Sequence, residues 1–370
     1  YTLNIYGSLT FISSMNLSFQ GRTNFEATTL GKTITSAGKQ FNSNVYFQGA
    51  GGGWTLIDAF ATSNTVYLYN GTLNTNSQNV NASSLNSSPS NPATRTLILG
   101  ASLVTLSSTS SSAWSVYNDN FTLNSGTSLI RFTGNGGGMY NSTYYGTYTN
   151  LTLYDVEFTH NTGLSRIYYN HNYGFLFFND VIFYGNGQFQ ANSTINNLTC
   201  SKAKYYEFEA NRTQTIVNTL NSIGTCNEPI NFRSMTSGVQ STISKSSGSV
   251  TVEYVALRDM NALGGASFTA NNSVDISNNS GWVINTTTPL NLYWVGGTGN
   301  WDESAHWSTS SGGPGGACIP TVHDNVFFDN NSFTSPAQSV TINANAYCNN
   351  MDWTGAAFTP TLTGTNIYSL

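Results

Sequence analysis

Charged residues are the scarcest class in this chain of 370 residues. Lys, Arg, Asp and Glu together make up 8% of it, against about a quarter of an average soluble protein. The twelve basic residues are scattered and the formal net charge is −5. The clustered positive surface that neutralises nucleic-acid phosphates is therefore missing. The sequence predicts a polar, weakly charged surface of Asn, Ser, Thr and Gly, and no nucleic-acid partner.

Long hydrophobic runs and helical patterns are missing too. No apolar stretch approaches the roughly 20 residues that span a bilayer. No segment has ten or more residues of helical periodicity with caps. No signal peptide precedes the first strand pattern, so we interpret the chain as a mature protein or an internal fragment. Because aromatic residues reach 13%, disorder is excluded. We expect essentially no α-helix and no membrane insertion.

What the chain does have is a recurring short strand with alternating apolar and polar residues. Apolar positions return about every 25 residues, a period typical of stacked repeat units. They form a predicted ladder of five residues: Phe158, Phe183, Phe208, Phe232 and Leu257. An Asn follows the first three Phe at a constant offset, which predicts stacked corners at Asn161, Asn186 and Asn211. The pattern predicts an elongated, all-β, parallel β-helix (a β-solenoid) that we expect to be right-handed.

A second motif has the order Thr-Leu, Gly, Ser-Leu and begins at Thr2, Thr96 and Thr122. It predicts a strand, a tight corner that needs Gly, and the next strand. We place a solenoid with coils of roughly 20–25 residues at positions 1–285. A Trp- and Gly-rich junction at 286–370 is expected to continue as β coils into a next period. Stretches rich in Ser and Asn at 81–92 and 107–112 are predicted to be protruding loops.

The four cysteines form two pairs that are close in sequence, Cys200 with Cys226 and Cys318 with Cys348. Each pair is about one coil apart, and stacked residues on neighbouring coils lie roughly 4.8 Å apart. That spacing is near the Cα separation of a disulfide. We therefore predict two disulfides between coils and an oxidising, extracellular setting. The alternative is four buried free thiols. No Cys-x-x-Cys spacing indicates zinc.

Candidate chemical groups are few. Asp155 and Asp180 are predicted to stack outward on adjacent coils, which makes them weak calcium candidates. We interpret them as solvated surface carboxylates and predict no catalytic residue and no other cofactor. The four histidines show no metal-ligand spacing: His160, His171, His306 and His323. His306 is expected to pack against Trp301 or Trp307. Exposed tyrosines could stack on sugar rings or form cross-strand pairs, for example Tyr144, Tyr145, Tyr168 and Tyr169.

The last third of the chain carries distinctive motifs. They are Trp294-Val-Gly-Gly-Thr-Gly-Asn-Trp301, Ala305-His-Trp-Ser308, Cys318-Ile-Pro-Thr321, Asp324-Asn-Val-Phe-Phe-Asp329 and Cys348-Asn-Asn-Met-Asp-Trp-Thr-Gly355. Together they resemble the tandem modules of giant repetitive surface proteins of Bacteroidota. Those proteins are adhesin-like, are exported by the type IX secretion system, and include gliding-motility adhesins. Similar modules place a Tyr-Gly-Ser-Leu strand after the Trp-Thr-Gly segment, and here that strand is Tyr6–Leu9.

The resemblance implies one period of a tandem array at the bacterial cell surface. The expected function is structural and adhesive, with copies arranged end to end, either covalently or as a head-to-tail filament. Surface glycans are possible ligands. The alternative function is a β-helical enzyme that binds or degrades polysaccharides, which would need a pair of carboxylates at a defined separation. We favour the structural function and expect no enzymatic activity.

Overall fold

The computed structural model describes residues 1–90, 93–145, 149–170 and 174–364. The chain is 49% strand and 1% helix, and its parallel stacked sheets form a β-solenoid of about 16 turns. The predicted all-β, parallel β-solenoid with essentially no α-helix is confirmed, and its right-handedness stays a prediction. Two segments with separate hydrophobic cores make up the described residues. We call residues 1–285 the body and residues 290–364 the C-terminal unit.

The body contains 34 strands among the described residues, most of them three to five residues long. They are β1 Thr2–Ile5, β2 Leu9–Thr10, β3 Arg22–Phe25, β4 Lys32–Thr35, β5 Gln40–Phe41, β6 Val45–Phe47, β7 Gly53–Leu56, β8 Phe60–Thr62, β9 Thr65–Leu68, β10 Gly71–Asn74, β11 Val80–Ala82, β12 Ser84–Ser87, β13 Arg95–Ile98, β14 Leu103–Leu106, β15 Trp114–Tyr117, β16 Phe121–Asn124, β17 Leu129–Phe132, β18 Met139–Ser142, β19 Leu151–Thr152, β20 Asp155–Phe158, β21 Leu164–Tyr169, β22 Phe175–Phe183, β23 Asn186–Gln190, β24 Asn192–Cys200, β25 Tyr205–Phe208, β26 Thr213–Asn221, β27 Ile230–Ser234, β28 Ser241–Lys245, β29 Ser249–Glu253, β30 Val255–Arg258, β31 Met260–Gly264, β32 Ser267–Asn271, β33 Val274–Ser277 and β34 Trp282–Asn285.

The C-terminal unit has seven strands and a 3-10 helix, Ser304–His306, in the described part of the chain. The strands are β35 Asn291–Trp294, β36 Gly299–Asn300, β37 Trp307–Ser308, β38 Asn325–Phe327, β39 Ser339–Ile342, β40 Asn350–Asp352 and β41 Thr361–Gly364.

Successive strands of the body mostly lie in different sheets, so that each turn adds a strand to sheets A and C along most of the body and to sheet B as far as β16. Sheet A runs β1-β3-β6-β9-β12-β15-β18-β21-β23-β25-β27-β30-β33. Sheet B runs β2-β4-β7-β10-β13-β16, and sheet C runs from β5 to β31 along the body. A short sheet, β29-β32-β34, lies at the C-terminal end of the body. Pairing between turns is parallel throughout these sheets.

Alternation along each strand explains the interior. In β20 and β22 the residues Val156, Phe158, Val181 and Phe183 are buried, while Asp155 and Glu157 face outward. Like residues therefore lie directly over one another. The rings of Phe158 and Phe183 stack with centroids 4.4 Å apart and planes 15° apart. At about 25 cal/mol per Å² of buried apolar area, such columns are the main stabilising contribution.

The predicted single Phe ladder is wrong in its middle. Phe158 and Phe183 belong to sheet C, where the next residue in the column is Cys200. Phe208 lies in sheet A over Phe189. Two parallel columns form because strands of both sheets share the same alternation, so the sequence does not distinguish them.

The rings of the two columns nevertheless meet in the interior. Phe183 of sheet C contacts Phe189 of sheet A at 5.4 Å between centroids. Within sheet A, Phe208 pairs with Ser234 and not with Phe232 as the ladder predicted, and the two rings meet edge to face at 5.6 Å. Phe232 and Leu257 are neighbours in sheet A, as the ladder predicted. The five ladder residues therefore belong to one core, distributed over two sheets.

The predicted stack of Asn corners is also wrong. Asn211 has the left-handed backbone expected of a corner, with φ of 62°. Asn186 instead begins strand β23 and pairs with Leu164. Its side-chain oxygen accepts a hydrogen bond from the backbone of Tyr205. Asn161 is exposed in the bend before β21. The three Asn residues lie in different local environments, so their equal spacing from Phe has no common structural cause.

The strand–Gly–strand motif is confirmed in two of its three copies. Thr96 pairs with Thr122 across sheet B. In both copies the corner is a Gly with φ of 58°, Gly100 and Gly126, where a side chain would meet backbone or a serine. The copy at Thr2 lies in sheet A instead.

Of the two predicted loops, residues 107–112 connect β14 to β15 outside the strands. The stretch 81–92 was wrongly predicted as a loop. Most of it forms β11 and β12, and positions 91 and 92 lie outside the described residues.

The two predicted disulfides are wrong, and a different one is present. Cys226 of the body bonds to Cys318 of the C-terminal unit, with the two Cα atoms 5.3 Å apart. Cys200 and Cys348 are free thiols. Cys200 cannot reach Cys226 because it fills the interior column under Phe183, whereas Cys226 lies in a turn that leaves the core. The bond joins the two cores rather than two neighbouring coils.

The C-terminal unit is a smaller parallel stack. Strands β35, β38 and β40 pair in parallel, as do β36, β39 and β41, while β37 pairs antiparallel with β35. Its core is rich in tryptophan: Trp294, Trp301 and Trp307 are fully buried around Phe328. The conspicuous Trp-Gly motifs of the sequence are therefore the core of this unit.

Candidate functional site

The calcium candidates Asp155 and Asp180 stack on adjacent turns as predicted, and amide groups occupy their oxygens. The Asp155 carboxylate accepts hydrogen bonds from the Asn179 side chain at 2.9 Å and from the Asp180 backbone at 3.2 Å. The Asp180 carboxylate accepts one from the Asn197 amide at 2.7 Å. No cluster of three or more potential metal-binding side chains occurs in the described ranges. These carboxylates act as links between turns.

The remaining outward carboxylates near the ladder are paired with arginines. Glu157 bonds to Arg131 of the preceding turn at 2.6 Å. Glu207 accepts two bonds from Arg233 at 3.0 and 2.6 Å and a third from Gln188. Because each carboxylate is bound to a cation or an amide of a neighbouring turn, the arrangement stabilises stacking and leaves no pair poised for acid–base chemistry among these residues.

The tyrosines on the body divide between surface stacks and the core. Tyr168 stacks on Tyr140 of the adjacent turn at 5.0 Å, which is the predicted cross-strand pairing. Tyr169 was expected to be exposed, but it is fully buried and donates its hydroxyl to the Thr149 carbonyl. Tyr144 and Tyr145 are exposed and meet edge to face. The surface tyrosines thus mainly extend the stacking of turns.

The histidines are dispersed. His306 stacks on Trp294, with centroids 4.8 Å and planes 9° apart, and not on Trp301 or Trp307 as predicted. One of its ring nitrogens lies 2.8 Å from the Val295 carbonyl. His160 is in a bend of the body and His323 in a turn of the C-terminal unit. His171 lies outside the described residues.

Arg95 is a fully buried charge that the sequence did not reveal. Its guanidinium donates to the carbonyls of Ala93, Ser87, Tyr117 and Asp119. Burial lowers the pKa of Arg95 to about 10, opposed by the nearby Asp119 carboxylate. Arg95 therefore links three stretches of chain through hydrogen bonds to their carbonyl groups. These bonds compensate for the hydration that the guanidinium loses on burial.

A concave feature lies where the body meets the C-terminal unit. We call it the junction cleft; its volume is about 520 Å³. One wall is the outer face of the last strands of sheet A and the adjoining turns, with Asn231, Tyr254 and Ile276. The other wall belongs to the C-terminal unit, and the connecting residues 287, 288 and 290 lie between them.

The wall from the C-terminal unit is held in shape by a buried carboxylate. Asp324 accepts hydrogen bonds from the backbone of Leu290 at 2.7 Å and from the backbone and hydroxyl of Thr321 at 2.8 and 2.7 Å. The Asp324 oxygens are therefore used in hydrogen bonds that hold the shape of this wall. Asp302, exposed at the cleft, accepts one bond from the Asn343 amide at 2.6 Å.

Two connections besides the main chain tie the walls together in the described structure. One is the Cys226–Cys318 disulfide, and both cysteines line the cleft. The other is a hydrogen bond of 3.2 Å from the Ile319 backbone to the Asn227 side chain. The body and the C-terminal unit have no core residue in common. The geometry of the cleft therefore depends on the disulfide.

The junction cleft was not predicted from the sequence. The available signal was the presence of two cysteines, Cys226 and Cys318, outside the strand pattern. The prediction paired each cysteine with the nearest one in the sequence. It therefore missed the Cys226–Cys318 bond, whose two cysteines are 92 residues apart.

Comparisons with protein-family models, with curated proteins and with solved structures found no match to this chain. Within the described ranges, no helix has the length and apolar character needed to cross a membrane.

Proposed function

We propose that this chain is a structural and adhesive module of an extracellular filament or giant surface adhesin. The observation that carries the proposal is the stack of about 16 turns around a continuous core. A parallel stack of this kind gives a stiff body whose every turn is held by its neighbours. Rigidity and reach, rather than a reactive centre, are what such a body provides.

The outward groups support a load-resisting role. Carboxylates, amides and arginines bond from turn to turn, as in Asp180–Asn197 and Glu207–Arg233. Backbone hydrogen bonds between turns run along the same direction. Because these bonds act together, separating two turns requires breaking many of them at once.

The setting that we propose is extracellular, at a bacterial cell surface. The disulfide between the body and the C-terminal unit supports an oxidising compartment, since such bonds rarely persist in a reducing cytosol. The proposed partners are further copies of the module, arranged end to end.

Electron microscopy of native surface material, with antibodies raised against the chain, tests the proposal. We expect labelled rods or fibres with regularly spaced antibody. Labelling confined to compact particles in the culture fluid would contradict it. Release of sugars from polysaccharides by the purified chain would instead support the enzymatic alternative.

A further inference from the structure

We propose that the junction cleft is a binding site for a neutral oligosaccharide. The inference rests on the adhesive part of the proposed function, for which it supplies a ligand class. A volume of about 520 Å³ falls in the usual range of about 300–1,000 Å³ for small-molecule sites. The cleft can therefore accept a short glycan.

Two tyrosines line the cleft, one on each wall. Tyr254 comes from the body, and Tyr347, with 46% of its surface exposed, comes from the C-terminal unit. Neither hydroxyl has a hydrogen-bond partner among the described residues. A tyrosine offers a flat apolar face and a polar tip. This combination matches a sugar ring, which has a face of C–H groups and a rim of hydroxyls.

Groups able to bind hydroxyls line the same cleft. The side-chain amides of Asn231 and Asn345 are exposed and have no hydrogen-bond partner in the described part of the chain. Each amide offers both a donor and an acceptor. The exposed Asp302 carboxylate is a further acceptor. A sugar hydroxyl both donates and accepts, so it can bond to each of these groups.

The charge of the lining selects against other ligand classes. No Lys, Arg or His lines the cleft in the described residues, whereas Asp302 and Asp324 do. An anionic ligand, such as a nucleotide or a uronic-acid polymer, would meet carboxylates without a compensating cation. A purely apolar ligand would cover the amides of Asn231 and Asn345 without offering them hydrogen bonds. A neutral, hydroxyl-rich ligand avoids both costs.

The disulfide fixes the separation of the two tyrosine-bearing walls. Breaking the Cys226–Cys318 bond leaves the connecting chain and one hydrogen bond between the described residues of the two walls. The walls could then move apart, and a ligand would have to pay for bringing them together. The bond therefore preorganises the site.

An array of neutral and anionic glycans, followed by calorimetry with trisaccharides of glucose, mannose and xylose, tests the proposal on the intact chain. We expect neutral members to bind. Replacing Tyr347 by Ala should weaken that binding about tenfold, as expected for the loss of one stacked ring. Tyr184→Ala is the matched control, because Tyr184 is similarly exposed (45%) on the body and does not line the cleft; it should bind normally.

The absence of binding to every neutral glycan at millimolar concentration would overturn the proposal. So would preferential binding of anionic glycans, or equal losses in the Tyr347→Ala and Tyr184→Ala variants. The double variant Cys226→Ser/Cys318→Ser should bind several-fold more weakly while the core of the body stays protected from hydrogen exchange. Unchanged affinity would overturn the role assigned to the disulfide. Fibres without glycan binding would refute this site and leave the proposed function standing.

Discussion

In the body, aromatic rings stack in columns, whereas in the C-terminal unit tryptophans meet edge to face around a single centre. Phe132, Phe158 and Phe183 lie nearly parallel, 4.8 and 4.4 Å apart. Trp307 meets Trp294 at 87° and Trp301 at 70°. The first arrangement can be extended by adding turns. The tryptophan cluster surrounds one centre and has no repeating direction, so further turns cannot extend it.

The side-chain hydrogen bonds of the two segments differ in a similar way: those of the C-terminal unit mostly stay within the unit, and those of the body mostly link neighbouring turns. In the C-terminal unit the indole groups of Trp294 and Trp307 donate to the carbonyls of Gly297 and Trp301 within the unit. In the body the side-chain bonds mostly run to the turn before or after, as between Asp180 and Asn197. Stability is therefore distributed along the body and concentrated in the C-terminal unit, a difference that four measurements can test.

The largest effect is expected from emptying one position of the body column. Phe183→Ala removes a fully buried ring that packs on Phe158. It should cost about 3–5 kcal/mol of unfolding free energy, because the cavity cannot close. Urea denaturation measures it. Phe175→Ala in the same strand, where the ring is 40% exposed, is the control and should cost about 0.5 kcal/mol or less.

If the stability of the body is distributed along its turns, the effect of Phe183→Ala should be local. Hydrogen exchange should rise in the turns next to Phe183 and stay unchanged in the C-terminal unit. Uniform loss of protection over both segments would show that the two cores unfold as one.

The next effect concerns the bond between the two segments. Cys226→Ser/Cys318→Ser should lower the stability of the joined structure by about 2–4 kcal/mol, because the free chain regains the freedom of a long loop. Solution scattering should show a larger radius of gyration. Cys348→Ser removes a thiol without breaking a bond and is the control. A radius unchanged in the double variant would show that the segments hold together without the disulfide.

A smaller effect is expected from one link between turns. Glu207→Gln removes the charge that pairs with Arg233. The pair is partly exposed, so its loss should cost about 0.5–1 kcal/mol. The cost should shrink in 1 M salt, because salt screens exposed charges. A double-mutant cycle with Arg233→Met isolates the pair. A coupling energy that did not respond to salt would contradict the ionic interpretation.

The last effect is expected at alkaline pH. Burial, together with the neighbouring Tyr67 and Tyr46, raises the pKa of Tyr69 from 10.0 to about 12. The unfolded chain then loses its proton first, so the stabilisation is complete below pH 10 and is lost as the pH rises towards 12. Stability measured over this window should fall less steeply in Tyr69→Phe. Equal slopes for the two proteins would show that Tyr69 titrates normally. Absorbance of tyrosinate follows the titration directly.

Local regularity is what could be predicted from the sequence. Val156, Phe158, Val181 and Phe183 occupy the same positions in two consecutive strands, and their inward direction follows from alternation alone. The Gly corners at Gly100 and Gly126 follow from the need for a positive φ. These features depend on neighbouring residues and on one repeat of the pattern.

Assignments that compare distant strands could not be made in the same way. Phe208 fits the pattern of Phe183 but belongs to a different sheet, because inward positions of sheets A and C look alike. The Cys226–Cys318 bond and the junction cleft depend on how two separate cores face each other. Local periodicity carries no information on that orientation.

The number of residues between stacked strands varies, while most strand pairs of the body keep a continuous register. Val66 pairs with Leu85, 19 residues later, and Leu85 pairs with Trp114, 29 residues later. Part of this surplus lies between β14 and β15, at positions 107–112, outside the strands. An inserted peptide at this point would be carried outward at a set height on the rod. The peptide in this loop can therefore be changed, by evolution or by engineering, while the strand pairing keeps its position along the solenoid axis.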